Sequence, residues 1–261
     1  MTPWYVDSFG VEYLKLYAHR DQGEAESDVQ SICRLITPDR AAPVLDLGCG
    51  AGRHLVALHK AGFTALTGLD LSRPLLDEAR SALLELGAAE VRLVRGDMRR
   101  VPFRDEFALV LSLFTSFGYF DRDAQNERVL RSASRALRPD GVLLMDVLNG
   151  PFLVSSLVPH EERVVDDKRL CISRSYDARR HRVEKTTRVD TPDGRRRTYR
   201  ESVRLYDAQQ LTALLERAGF ARTSCYGSLN GAPYTVDSPR LVVVSQRGGS
   251  PPPHVLRGGA S

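Results

Sequence analysis

Three glycines and two aspartates are the residues of this chain whose types and spacing suggest chemistry. The run Val44-Leu45-Asp46-Leu47-Gly48-Cys49-Gly50-Ala51-Gly52-Arg53-His54 reads as a strand that enters a glycine-rich turn and leaves it as a helix. Glycine allows the sharp turn and leaves the amides open to a ligand, and the helix N-terminus that follows presents unpaired N–H groups. Such amides suit a carboxylate or a phosphate. A dinucleotide fingerprint would place a third glycine where Arg53 stands, so the spacing is GxGxG and not GxGxxG. Asp70 closes Thr67-Gly68-Leu69-Asp70-Leu71-Ser72, where an acid in such folds can bind ribose hydroxyls, and Asp97 closes Arg95-Gly96-Asp97-Met98. Each acid alone is as readily a helix cap or a solvated turn residue. At successive carboxyl ends of parallel strands, the two line one crevice.

The elements that must position these groups follow from periodicity. Short apolar runs at 44–47, 65–69, 91–94, 107–114 and 142–148 are bounded by glycine or acid and read as buried parallel strands. Helical segments at 53–61, 74–86 and 124–137 alternate with them, Pro74 standing near a first turn. Residues 11–35 read as two helices joined by a polar stretch at 21–27. The fold expected is α/β: a doubly wound, mostly parallel seven-stranded sheet with helices on both faces. An N-terminal helical cap covers 1–40 and the main core 41–150. Beyond Gly150-Pro151 the alternation stops, and 151–206 reads as an inserted antiparallel β lid, rich in arginine, with a hairpin turn at Pro192-Asp193-Gly194. Residues 207–246 complete the core, with Asp207 as N-cap and Gly219 closing the helix, and 247–261 reads as a disordered tail.

Composition sets outer bounds. The 261 residues suffice for one sizeable α/β core plus a cap, and 42% hydrophobic and 27% charged residues are ordinary for a soluble globular chain. No apolar run reaches the roughly 18 residues of a membrane span. The first ten residues lack the pattern of a signal or transit peptide, which makes the cytoplasm the expected compartment. Cys33, Cys49, Cys171 and Cys225 form no CxxC pair and are expected to be free thiols, with neither a disulfide framework nor a metal site. A net charge of +4 permits a nucleic-acid partner without requiring one.

The segments LDLGCGAGRH, GLDLS, RGDM, LFTSFGYF and LRPDGVLLMDVLN resemble, in order, the motifs of class I S-adenosylmethionine (SAM)-dependent methyltransferases over about residues 41–150. TSFGYF, RLY and YGSLNGAPYTVDSPR extend the resemblance to a group of small bacterial methyltransferases with a strand-rich lid. The resemblance implies SAM as cofactor and S-adenosylhomocysteine as product. It implies that Gly48, Cys49 and Gly50 lie under the methionine and ribose, that Asp70 holds the ribose hydroxyls, and that Leu71 packs on the adenine. Asp97 and the Met98 amide would read the adenine edge. Leu113, Phe114 and Ser116 would face the sulfonium. Separately, Arg20 reads equally as a partner of the SAM carboxylate and as a surface helix arginine. Pro139-Asp140-Gly141 departs from the more usual Pro-Gly-Gly at a helix-to-strand turn away from the ligand.

Methyl transfer from an activated sulfonium requires mainly that donor and acceptor be held in line, and positioning can supply roughly 7–11 kcal/mol. Where a base is needed, the candidates are Tyr119, Asp146, Asn149, Tyr206 and Tyr234. The expected acceptor is an O or N of a small molecule. RNA or a protein side chain, a non-catalytic SAM-binding role, and a nicotinamide oxidoreductase stand as alternatives. The Asn/Asp-Pro-Pro-Tyr motif of base methylation is missing, and acids interleave with the arginine clusters at 179–182 and 195–197, as on a mixed-charge surface. The lid is expected to cover the SAM pocket, with Tyr206 and Tyr234 among its walls, an arginine pointing inward, and Arg204 and Arg240 either in that role or bracing the lid. Its tip at 192–197 is expected to serve methyl transfer and not SAM affinity.

Overall fold

Four of the five short apolar runs become largely buried strands of one sheet, whereas the one expected at 91–94 forms an edge strand that is exposed at both ends and half-buried between. In the computed structural model, which describes residues 3–7, 10, 22–165 and 167–248, these strands are β1 (Val44–Leu47), β2 (Leu66–Asp70), β3 (Arg92–Arg95), β4 (Phe107–Ser112) and β5 (Leu137–Leu148). With β10 (Phe220–Tyr226) and β11 (Arg240–Arg247) they form one seven-stranded sheet in the order β10-β11-β5-β4-β1-β2-β3. β1 pairs in parallel with both β2 and β4, so the strand order reverses there. In doubly wound sheets that reversal opens a crevice at the carboxyl ends of the strands. β11 runs antiparallel to β5, and β10 antiparallel to β11.

Helices α2 (Gln22–Ile36), α3 (Arg53–Lys60) and α4 (Arg73–Glu85) supply Val29, Ile32, Leu55, Leu58, Leu76 and Leu83 to one apolar cluster. Helices α5 (Asp123–Ala136) and α7 (Ala208–Arg217) supply Val129, Leu130, Leu211 and Leu214 to the cluster on the opposite face. Each fully buried leucine or valine stabilises the fold by roughly 1.5–3 kcal/mol. The helix starts are local: Ser72 accepts from the Leu75 amide ahead of α4, and Asp207 forms a reciprocal capping box with Gln210 ahead of α7.

A separate four-stranded antiparallel sheet, β6 (His160–Val165), β7 (Lys168–Asp177), β8 (Arg182–Asp190) and β9 (Arg196–Arg204), follows α6 (Gly150–Ser155). It is fastened to the core by Arg182, which is 1% exposed. Its guanidinium donates to the carbonyls of Phe120 at 2.9 Å, Tyr119 at 3.3 Å and Gly118 at 3.4 Å, and to Ser202 Oγ at 2.7 Å. Gly118 also accepts from the Arg204 amide, and at its φ of 91° a Cβ would lie 2.6 Å from the Arg204 carbonyl.

Several local expectations change. The polar stretch expected as a joint at 21–27 is helical from Gln22, because Glu24, Ala25 and Glu26 are good helix formers and Ala25 is fully buried. β5 begins at Leu137, before the anticipated 142, so Pro139-Asp140-Gly141 lies within the strand at a register shift, with Asp140 at a φ of 65°. α6 and a single 3-10 turn at Met98–Arg100 were not anticipated. The expected helix over 11–20 and the tail from 249 lie outside the described residues, and α1 (Trp4–Asp7) and α2 are the described helices of the N-terminal cap. Among the described residues no helix is long and apolar enough to cross a membrane.

Candidate functional site

The glycine turn after β1 is folded by the neighbouring strand: the amides of Gly48 and Cys49 both donate to the Leu69 carbonyl, at 2.8 and 3.1 Å. Gly48, Gly50 and Gly52 all have positive φ, of 84°, 53° and 79°, a conformation costly for residues with a side chain. A Cβ on Gly48 would press Ser116 Cβ at 2.9 Å, and one on Gly52 would press Ala79 at 2.9 Å. Gly50 is different: a Cβ there meets nothing closer than Leu75 at 3.9 Å and would intrude on open space.

That open space is a cavity of about 830 Å³ at the carboxyl ends of β1 to β4. Asp70 ties its first two loops together, Oδ2 accepting from the Gly50 amide and Oδ1 from the Ser72 amide, both at 2.8 Å. Burial pushes its carboxyl up, against the pull of those amides. Asp97 caps the 3-10 turn and is forked by Arg99, with bonds of 2.6–3.1 Å. Burial raises the Asp97 carboxyl, but the Arg99 bonds outweigh it and hold it below its usual range.

Asp46, embedded in a fully buried strand, is the residue that sequence reasoning missed. It is 2% exposed and lines the cavity, and its Oδ2 has no hydrogen-bond partner among the described residues. Burial, with Asp70 adding to it, pushes its carboxyl up to about 6 despite nearby His54 and Arg53. An unpartnered carboxylate in such a place is costly until a cation or donor reaches it. The signal available in the sequence was an acid inside an otherwise apolar strand next to the glycine turn.

Beyond β4 the backbone takes an unusual course. Phe114 and Thr115 have φ of 55° and 64°, conformations that cost roughly 1–3 kcal/mol each in non-glycine residues. Asp146 holds the turn through its carbonyl to the Thr115 amide at 2.8 Å and its Oδ2 to the Phe114 amide at 3.3 Å. Arg240 completes the clamp on Asp146 Oδ1 at 2.7 Å and Thr115 Oγ1 at 2.9 Å. The Phe114 ring lies under Arg53 at 4.8 Å and near Arg240 at 5.8 Å.

Of the residues singled out in the sequence, Gly48, Cys49, Gly50, Asp70, Leu71, Asp97, Met98, Leu113, Phe114, Ser116 and Tyr119 all line this one cavity. Arg20 lies outside the described residues. Burial, with Asp46 and Asp70 nearby, raises the Cys49 thiol far above its usual range, so it stays a neutral thiol. Tyr206 and Tyr234 are not walls of the cavity. The Tyr206 hydroxyl donates to Asp123 at 2.8 Å and accepts from Asn126 at 3.0 Å, and burial first, then Asp123, drive its pKa up. Tyr234 donates to Asn149 Oδ1 at 3.1 Å, and Asn149 in turn holds the carbonyls of Val236 and Ser238. Both tyrosines face the chain's own polar groups, which satisfies the fully buried side chains of Asn126 and Asn149. Arg204 likewise braces, pairing with Asp123 and stacking 4.6 Å over Tyr206. Arg240 braces and lines the cavity at once.

The four-stranded sheet contributes Arg174, Val183, Lys185, Glu201 and Val203 to the cavity wall, and the tip at 192–197 contributes nothing to it. Arginines of the basic clusters are matched locally, Arg180 to Asp121 and Glu184, Arg195 to Asp193, and Arg196 to Asp190.

Residues 44–141 match the family described as a methyltransferase domain. The chain is 32% identical over 127 residues to a dTDP-3-amino-3,4,6-trideoxy-alpha-D-glucopyranose N,N-dimethyltransferase of Streptomyces venezuelae, covering 49% of this chain and 51% of that one. It thus spans about half the length of that relative. It is 28% identical over 218 residues to a cypemycin N-terminal methyltransferase of a Streptomyces species, covering 78% and 82%. Among solved structures, a SAM-dependent methyltransferase of Clostridium acetobutylicum superposes with a TM-score of 0.77 at 17% identity, covering 90% of this chain and 95% of that one. A SAM-bound amino pentose methyltransferase of Micromonospora echinaspora gives 0.67 at 23% identity, covering 90% and 96%.

Proposed function

We propose that this chain, whose residues 44–141 form a methyltransferase domain, is a SAM-dependent methyltransferase acting on a small-molecule acceptor held between the core and the four-stranded sheet. The observation that carries the reading is the set of three carboxylates in one cavity, Asp46, Asp70 and Asp97, of which Asp70 and Asp97 are held by backbone amides of their own turns. Their chemistry fits the groups of SAM. Asp46 Oδ2, buried and without a partner among the described residues, suits the α-ammonium. Asp70, both oxygens already aligned by amides, suits the ribose diol, and Asp97 with the Met98 amide suits the adenine amino edge. Gly48, Cys49 and Gly50 form the floor, Leu71 packs on the adenine, and Leu113, Phe114 and Ser116 face the sulfonium.

When bound, SAM supplies a methyl group on a positively charged sulfur that leaves as a neutral thioether. The chain's own contribution is alignment and the exclusion of water. The clamped turn at 113–116 fixes one wall and the lid sheet closes the other, which strengthens every polar contact inside. Of the candidate bases, Tyr119 is the one at the cavity, while Asp146, Asn149, Tyr206 and Tyr234 are held in bonds that brace the fold. The two sequence relatives described above are both named for transfer to nitrogen, which supports nitrogen as the acceptor atom here. A neutral amine needs no base before attack and releases its proton afterwards, so transfer to nitrogen does not require Tyr119 to act as one.

Calorimetric titration with S-adenosylhomocysteine, with NAD as control, tests the cofactor. Incubation with SAM and a metabolite extract, read by mass spectrometry for products one methylene heavier, tests the transfer. Binding of NAD in preference to S-adenosylhomocysteine would overturn the reading.

A further inference from the structure

The four-stranded sheet carries a row of four charges, three of them on the cavity wall, that the proposed cofactor contacts leave out. Glu161, Arg174, Lys185 and Glu201 stand side by side on β6 to β9. Arg174 is the direct cross-strand partner of Lys185, and Lys185 that of Glu201. Arg174 reaches Glu161 at 2.7 Å and Lys185 reaches Glu201 at 2.9 Å. The two cations are thus adjacent at the centre, with their carboxylates displaced to either side. Like charges directly opposite each other on neighbouring strands are destabilising. Arg174 and Lys185 both line the cavity, as does Glu201, whereas Glu161 does not, so the lid presents two cations and one carboxylate to whatever the cavity holds. The side chains are only 18–23% exposed at these three positions, which limits screening by solvent. Around them the wall is apolar, with Val183 and Val203 on the same sheet.

We infer that Arg174 and Lys185 form an anion subsite for the methyl acceptor, which therefore carries a carboxylate or phosphate next to an apolar body. The inference rests on the cavity being the acceptor's site in the reading above. An anion between the two strands relieves the repulsion of the central pair, and the planar guanidinium can bind it with two donors while the ammonium adds a point charge. Glu201 then sets selectivity, because it competes with the incoming anion for Lys185.

The test uses the single tryptophan of the chain, Trp4, whose ring stacks edge-on to Tyr119 of the cavity wall at 5.2 Å. Phenyl phosphate, benzoate and uncharged benzyl alcohol are titrated into the protein with and without S-adenosylhomocysteine, binding being followed by Trp4 fluorescence and calorimetry. The two anions separate phosphate from carboxylate as the preferred group. At least one is expected to bind about tenfold or more tightly than benzyl alcohol, a difference of about 1.4 kcal/mol. Arg174→Gln and Lys185→Gln are each expected to abolish that preference while leaving S-adenosylhomocysteine affinity within about twofold. Glu201→Gln is expected to act in the opposite direction and tighten the anion severalfold, which a folding defect would not do. Equal binding of anions and benzyl alcohol, or an unchanged preference in both cation variants, would sink the subsite. Failure of S-adenosylhomocysteine to bind at all would fall on the methyltransferase reading instead, since the anion titrations without it still decide the subsite.

Discussion

At the scale of single residues, two aspartates bear different loads. Asp70 holds two backbone amides and has its carboxyl raised by burial. Asp70→Ala is expected to weaken S-adenosylhomocysteine by about 1–3 kcal/mol, the cost of losing a charged acceptor of two hydroxyls, as read by calorimetry. Unchanged affinity would remove Asp70 from the ribose. Asp97 is already forked by Arg99, so Asp97→Ala is expected to cost less. Asp46 makes a pH prediction. Burial pushes its folded carboxyl up to about 6 from an ordinary 3.8, so between these pH values the folded state binds more protons than the unfolded one, and stability falls as pH rises through the window. Asp46→Asn is therefore expected to raise the melting temperature of the cofactor-free protein at pH 8 and to raise it less at pH 4.5. The cofactor ammonium requires the ionised form, so wild-type affinity should drop below pH 6 while the Asn variant stays weak and flat. A melting temperature lowered at pH 8 would contradict the buried, uncompensated charge.

Elements are joined here by polar side chains where the apolar core does not reach. The lid sheet meets the loop after β4 through Arg182, whose guanidinium satisfies three successive carbonyls, at Gly118, Tyr119 and Phe120, and through the close backbone approach at Gly118. Burial lowers the Arg182 pKa, yet a guanidinium remains charged there. Removing it takes one donor from each of these carbonyls, Gly118 keeping the Arg204 amide and Phe120 the Asn126 side chain, and Arg182→Ala is expected to lower stability by roughly 1–3 kcal/mol in urea unfolding. Because the same loop carries Tyr119 into the cavity, acceptor affinity should fall as well. A variant with unchanged stability would mean that water replaces the guanidinium.

For the molecule as a whole, the cavity has one wall on the seven-stranded sheet, proposed for the cofactor, and another on the four-stranded sheet, proposed for the acceptor. The part of the lid that faces the cavity is the half of the β8–β9 hairpin near Val183, Lys185, Glu201 and Val203, and the tip at 192–197 lies away from it. That changes the expectation from sequence that the tip serves transfer. Trimming the tip to a short turn is expected to leave both S-adenosylhomocysteine affinity and methyl transfer within about twofold, since neither wall of the cavity is touched. A loss of transfer of about tenfold, with affinity kept, would return the tip to the acceptor's site.

The amino-acid sequence by itself determined the alternation of strand and helix, the glycine turn, and the arrival of Asp70 and Asp97 at strand ends. All of these are local: apolar period, glycine spacing and capping residues act within a few positions of one another. Only the tertiary structure decided what depends on register between distant strands. Tyr206 and Tyr234 looked like pocket walls, but the fold places Asp123 and Asn149 against their hydroxyls. Asp46 reads as one member of a buried strand, and the fold leaves its Oδ2 buried without a partner among the described residues, in a residue that lines the cavity. Arg182 read as part of a surface cluster, because nothing in its neighbours Arg179, Arg180 and His181 reveals three carbonyls some sixty residues earlier in the chain. The Arg174–Lys185–Glu201 row exists only through the pairing of β7 with β8 and β8 with β9. Strand register places every second side chain on one face, so it decides which charges meet, and no short stretch of sequence encodes that register.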